Sequence, residues 1–102
     1  MSAAPPKIRQ LPPVTPDGSA ASFQIRDEDH TLGNALRYLL MRNPAVEFCG
    51  YSIPHPSEPF LNLRVQTYGD ITASDALAQG LQDLMDLCDV VEDTFTRRIQ
   101  EL

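Results

Sequence analysis

The last third of the chain carries one uninterrupted apolar stripe at helical spacing, and this limits what the remaining residues can build. Leu77, Leu81, Leu84, Cys88, Val91 and Phe95 recur at spacings of 4, 3, 4, 3 and 4, the period of one face of an α-helix. Thr72 and Asp75 form a capping-box-like pair ahead of it. Only Gly80 weakens the run, and mildly. A helix over residues 74–101 is about 42 Å long at ~1.5 Å per residue. A domain of about 80 ordered residues is only about 25–30 Å across. The helix is therefore expected to overhang its own domain. Its stripe continues into the overhang at Phe95, Ile99 and Leu102, and an exposed apolar stripe marks a partner surface. Met85, Leu87 and Val90 broaden the seam beyond a plain two-stranded coiled coil. One flank is expected to pack on the chain's own sheet and the other on a partner. Asp83, Asp86, Asp89, Glu92 and Asp93 read as the solvated side, and Arg97 and Arg98 suit the negative end of the helix dipole.

The segments before that helix are short. Residues 1–22 hold Pro5, Pro6, Pro12, Pro13 and Pro16 and have no apolar period, which reads as an extended arm. Phe23 and Ile25 alternate with polar neighbours, giving a strand. Asp29 or Thr31 can cap a first helix, whose stripe is Leu32, Ala35, Leu36, Leu39 and Leu40. Tyr38 and Met41 widen that stripe, so this helix is expected to bury more than one face. Asn43-Pro44 stops it. Val46, Phe48, Tyr51 and Ile53 suggest a second strand, with an irregularity at Gly50. Pro54, His55, Pro56, Ser57, Glu58 and Pro59 make a loop, and Leu61, Leu63 and Val65 alternate cleanly in a third strand. The expected fold is α+β in the order β-α-β-β-α, as one domain over residues 23–102 behind the arm of residues 1–22.

Composition removes several functions. From residue 23 onward, six Arg face thirteen Asp plus Glu, a balance of −7. That surface is poorly suited to tracking a phosphate backbone, so little direct nucleic-acid contact is expected. Cys49 and Cys88 form no Cys-x-x-Cys pair, which argues against a zinc site and fits a reducing compartment. No apolar run reaches the length of a secretory core or a bilayer span, so no membrane role is expected. A nucleophilic Cys49–His pair is conceivable, but a strand cysteine is more naturally a small buried apolar group. Asp27, Asp29 and His30 match no strong metal pattern, and helix capping explains them better. Gly33 reads either as a tolerated glycine or as a point of close approach by another backbone.

Three segments carry a resemblance. "DEDHTLGNALRYLLMRNP" at residues 27–44, "VEFCGYSIPHPSE" at 46–58 and "LNLRVQT" at 61–67 resemble the small alpha-like subunits of archaeal and eukaryotic RNA polymerases. The likeness covers roughly residues 22–102 and leaves out the arm. It is stronger to the subunit shared by polymerases I and III than to the polymerase II counterpart. The latter usually has aspartate before the proline and alanine where Cys49 stands. The resemblance implies a fold like the dimerisation domain of bacterial polymerase alpha and no catalysis or cofactor. It also implies pairing with the larger alpha-like subunit of polymerases I and III, through a helix over residues 74–101. Residues 30–43 would belong to the dimer and platform surface. The pair would then carry the largest and second-largest subunits and a small zinc-binding subunit, in the nucleus including the nucleolus. Leu36, Leu39 and Leu40 are expected to join Leu81, Leu84, Cys88, Val91 and Phe95 in a core shared with the partner. The rivals are the equivalent subunit of polymerase II or of an archaeal enzyme, a free-standing homodimeric interaction domain, and a small cysteine-dependent enzyme.

Overall fold

The computed structural model describes residues 6–55 and 57–102. Its elements run β1 (Ile8–Leu11), β2 (Ala20–Arg26), α1 (His30–Met41), β3 (Val46–Ser52), β4 (Phe60–Thr67) and α2 (Ala73–Gln100). The four strands form one antiparallel sheet in the order β1-β2-β4-β3. The class is α+β as expected, with one strand more than the sequence suggested.

Strict alternation in β4 organises the sheet. Leu61, Leu63, Val65 and Thr67 are buried, and the residues between them are half-buried. Successive strand side chains point to opposite faces, so this pattern defines one face that is covered and one that is open. Across the ladder Phe23 lies opposite Leu63, Ile25 opposite Leu61, and Cys49 opposite Val65. These pairs share the covered face, against which Leu36 and Leu40 of α1 and Ala73, Ala76 and Leu77 of α2 complete the core.

Two caps set where the helices begin. Asp29 Oδ1 accepts a hydrogen bond from the Thr31 N–H at 2.9 Å, and Thr72 Oγ1 accepts one from the Asp75 N–H at 3.1 Å. Each satisfies a backbone donor that the first helical turn leaves unpaired. At the other end of α1 the Asn43 N–H donates to the Leu40 carbonyl, and Asn43 Oδ1 turns back to accept from the Ala45 N–H. Pro44 thus follows a helix that has already closed.

Glycines let the helices approach their neighbours. A Cβ on Gly33 would lie 2.7 Å from the Tyr51 ring and 2.8 Å from Leu61 Cδ1. The close approach is therefore made by two side chains rather than by another backbone. A Cβ on Gly80 would lie 3.0 Å from Leu40 Cγ, at the contact between α2 and α1.

Several expectations need correction. Residues 8–11 of the extended arm belong to the sheet. β1 pairs with β2 from Ile8 opposite Ile25 to Leu11 opposite Ser22, and Ile8 packs against the core. Residues 1–5 of the expected arm, and Pro56 of the expected loop, lie outside the described residues. The irregularity in β3 is not at Gly50. The register shifts between Val46 and Phe48, so Glu47 is the extra residue that bends this edge strand. Finally, α1 buries a single face within this chain. Tyr38 and Met41 are exposed.

Candidate partner-binding surface

The two halves of α2 have different surroundings. Ala73, Ala76, Leu77 and Gly80 are buried, and Leu81 and Leu84 are half-buried against the core. From Met85 to the C-terminus every residue is exposed. This second part, residues 85–100, is about 24 Å of helix at ~1.5 Å per residue. It projects beyond the sheet and contributes to a longest dimension of 54 Å.

The projecting part is not a polar helix. Met85, Leu87, Val90, Val91, Phe95 and Ile99 are large apolar side chains left in solvent. Val91 and Phe95 are 60% and 66% exposed, and they continue the line that Leu77, Leu81 and Leu84 begin on the core. The remaining faces carry Asp86, Asp89, Glu92 and Asp93, and Gln82 Nε2 donates to Asp86 Oδ1 at 2.9 Å. Arg97 and Arg98 occupy the last turn, where positive charge complements the helix dipole. An isolated apolar side chain on a surface is ordinary, but six on one helix form a contiguous patch.

The residues expected to meet a partner are thus divided. Cys88, Val91 and Phe95 are exposed. Leu81, Leu84 and Leu39 are half-buried and retain some free surface. Leu36 and Leu40 do not. They are 0% and 1% exposed inside the chain's own core, and a side chain with no free surface cannot touch another molecule. The period of a helical stripe reveals which face is apolar and not what covers it. Met85, Leu87 and Val90, which the sequence places beside the seam, are exposed as well, and so is Ile99, which continues the stripe.

A second exposed patch lies on α1. Arg42 Nη1 donates to Tyr38 Oη at 3.2 Å, and the guanidinium sits 5.5 Å from the Tyr38 ring centroid. Together with Asn34, Arg37 and Met41 these residues line a shallow hollow.

The groups considered for chemistry are otherwise engaged. Cys49 is 3% exposed, and burial pushes its thiol up to about 11, against a smaller lowering by Arg37. At neutral pH it is a protonated, weakly nucleophilic thiol. Its backbone N–H donates to Met41 Sδ at 3.1 Å. His30 Nδ1 is hydrogen-bonded to Tyr51 Oη at 2.9 Å, with the two rings edge to face. Asp29 caps α1. Among the described residues no group of three or more His, Cys, Asp or Glu is arranged to hold a metal ion.

A sheet covered on one side by two helices, with the second helix projecting an apolar stripe, describes a dimerisation module. Comparison with known proteins makes this specific. Residues 20–94 match the RNA polymerase Rpb3/Rpb11 dimerisation domain, and the chain belongs to that family. The DNA-directed RNA polymerases I and III subunit RPAC2 of Saccharomyces cerevisiae is 67% identical over 97 residues, covering 94% of this chain and 68% of the yeast protein. The protein of the same name from Schizosaccharomyces pombe is 56% identical over 99 residues, covering 97% and 79%. A probable RNA polymerase II subunit RPB11 of Caenorhabditis elegans is 41% identical over 83 residues, covering 81% and 68%. Within the family the chain therefore groups with the small alpha-like subunits shared by polymerases I and III. The fold extends further still. Subunit L of the RNA polymerase of Thermoplasma acidophilum superposes with a TM-score of 0.76 at 17% identity, over 92% of this chain and 89% of that one.

Proposed function

We propose that this chain is the smaller half of a heterodimer with the larger alpha-like subunit of RNA polymerases I and III, and that it contributes no catalytic group. The observation that carries this reading is the exposed apolar stripe on residues 85–100 of α2. Each large apolar side chain moved from water into a packed contact contributes roughly 1.5–3 kcal/mol before entropy costs. Val91, Phe95, Leu87 and Cys88 would form the centre of the contact, with Leu81, Leu84 and Leu39 at its inner margin. The acidic side of α2 would remain solvated at its rim.

The pair would serve as the platform on which the largest and second-largest subunits and a small zinc-binding subunit assemble. The Tyr38, Met41 and Arg42 patch on α1 is a second surface available for that purpose. The buried, protonated Cys49 speaks against a cysteine-dependent enzyme. A nuclear location, including the nucleolus, follows from a role in these two polymerases.

The test is the solution mass of the chain co-expressed with the larger subunit, measured by light scattering on a sizing column. The expected result is a stable one-to-one complex that the double variant Val91→Asp, Phe95→Asp no longer forms. A double variant that assembles with unchanged affinity would remove α2 as the interface. A stable lone homodimer that ignores the larger subunit would replace the heterodimer with a free-standing interaction domain.

A further inference from the structure

The sheet has a second face, turned away from both helices, and its charge is opposite to that of the chain. The protein has a net charge of −6, yet Arg9, Arg26 and Arg64 all occupy outward register positions on the strands. Lys7 stands beside them, its backbone carbonyl accepting from the Arg26 N–H. Four of the eight Lys and Arg residues are thus gathered on this face. The four strands carry a single carboxylate, Glu47, at the β3 bulge and at the opposite end of the sheet from Lys7 and Arg26. Two of the cations are held by neutral groups. Arg9 Nη2 donates to Gln24 Oε1 at 3.1 Å and Arg64 Nη1 to Ser22 Oγ at 3.5 Å. Lys7 pairs with Glu28 at 3.0 Å.

We propose that this open face docks an extended acidic segment of a partner polypeptide. Two concavities give it shape. One of about 240 Å³ lies among Lys7, Arg9, Gln24, Arg26 and Phe60, and one of about 490 Å³ among Leu11, Ser22, Phe48, Asn62 and Arg64. The first offers three cations beside Phe60 and the second offers Arg64 beside Leu11 and Phe48, which suits carboxylates interspersed with apolar side chains. Polypeptide is favoured over nucleic acid because carboxylates at alternate residues are less dense in charge than a phosphate at every nucleotide, and the chain's net charge of −6 repels the denser polyanion more. The apolar side chains between the carboxylates would meet Leu11, Phe48 and Phe60. This surface is separate from α2, and the proposal stands independently of the heterodimer.

The experiment is fluorescence anisotropy with the full chain and a labelled peptide of alternating Glu and Val. About eight residues suffice, spanning about 26 Å when extended. The same peptide with Gln in place of Glu, and a short oligothymidylate of equal formal charge, serve as alternative probes. The Glu peptide is expected to bind, more weakly as salt rises, and the Gln peptide is not. The variant Arg9→Glu, Arg64→Glu is expected to lower affinity at least roughly tenfold. Arg97→Glu at the far end of α2 is expected to have no effect. Arg64→Gln, which keeps the polar surface and removes the charge, is expected to lie between. Absence of Glu-peptide binding, equal binding of the Gln peptide, preference for the oligothymidylate, or an equal loss on Arg97→Glu would each overturn the proposal.

Discussion

Replacing Gly33 with alanine sets two known effects against each other at one atom. Gly33 lies inside α1, and alanine in a helix interior is favoured over glycine by about 1 kcal/mol. In open space the substitution would stabilise the protein. Here the new methyl would stand 2.7 Å from Tyr51 Cδ2 and Cε2 and 2.8 Å from Leu61 Cδ1, where carbon atoms prefer about 3.5–4.0 Å. Leu61 is wholly buried in the centre of the sheet and has nowhere to go. Tyr51 can move only by giving up the hydrogen bond to His30, a loss of about 1 kcal/mol. Overpacking of this kind costs about 1–3 kcal/mol; the helix gain offsets the lost hydrogen bond, so the net expectation is a loss of about 1–3 kcal/mol. For a domain of this size that lowers Tm by roughly 4–24 °C. Gly80→Ala is the matched control, since its methyl would meet Leu40 Cγ at 3.0 Å and Cδ2 at 3.1 Å. That smaller clash is expected to cancel the helix gain, leaving Tm nearly unchanged. Thermal melts followed by circular dichroism measure both. A Gly33→Ala variant as stable as the wild type, or more so, would refute the claim that Tyr51 and Leu61 fix the seat of α1.

Leu40→Ala should open a cavity at the α1–α2 contact and cost about 2–5 kcal/mol in denaturant melts, a loss in the chain itself rather than in partner binding. Asp29→Ala removes the α1 cap and should cost about 0.5–2 kcal/mol, readable in the same melts. The Cys49 thiol lies above its ordinary value of 9.0, at about 11, because of burial. The folded state therefore holds this proton more tightly than the unfolded state. Its contribution to stability is complete below about pH 9 and falls as pH rises from 9 towards 11. Cys49→Ala should flatten that part of the stability profile in urea titrations against pH.

The terminal helix was legible because its signal is both local and long. A stripe from Leu77 to Phe95 fixes the helical period, and simple geometry then makes it overhang a small domain. Asp29 and Thr72 were readable as caps because the preference for such residues is local too. β1 was hidden for the opposite reason. Four residues between prolines show too little alternation to mark a strand, and its partner Ser22–Ile25 lies across a turn that residue pattern does not describe. The partition of α1 between core and surface was equally out of reach. Leu36 and Leu40 share a stripe with Leu39, and only the placement of β3, β4 and Gly80 decides that the first two are sealed inside the chain. The open sheet face became visible only from the strand register, since Arg9, Arg26 and Arg64 are scattered in sequence.

The central claim is that a larger alpha-like subunit covers the outer half of α2. Cys88 is exposed in the middle of that segment, while Cys49 is buried, so thiol labelling reads the surface directly. The rate of maleimide modification at neutral pH should be measured for the chain alone and for the purified pair. Cys88 is expected to react readily in the lone chain and to be strongly protected in the pair, with Cys49 slow in both. Equal Cys88 reactivity in the two states would contradict the claim.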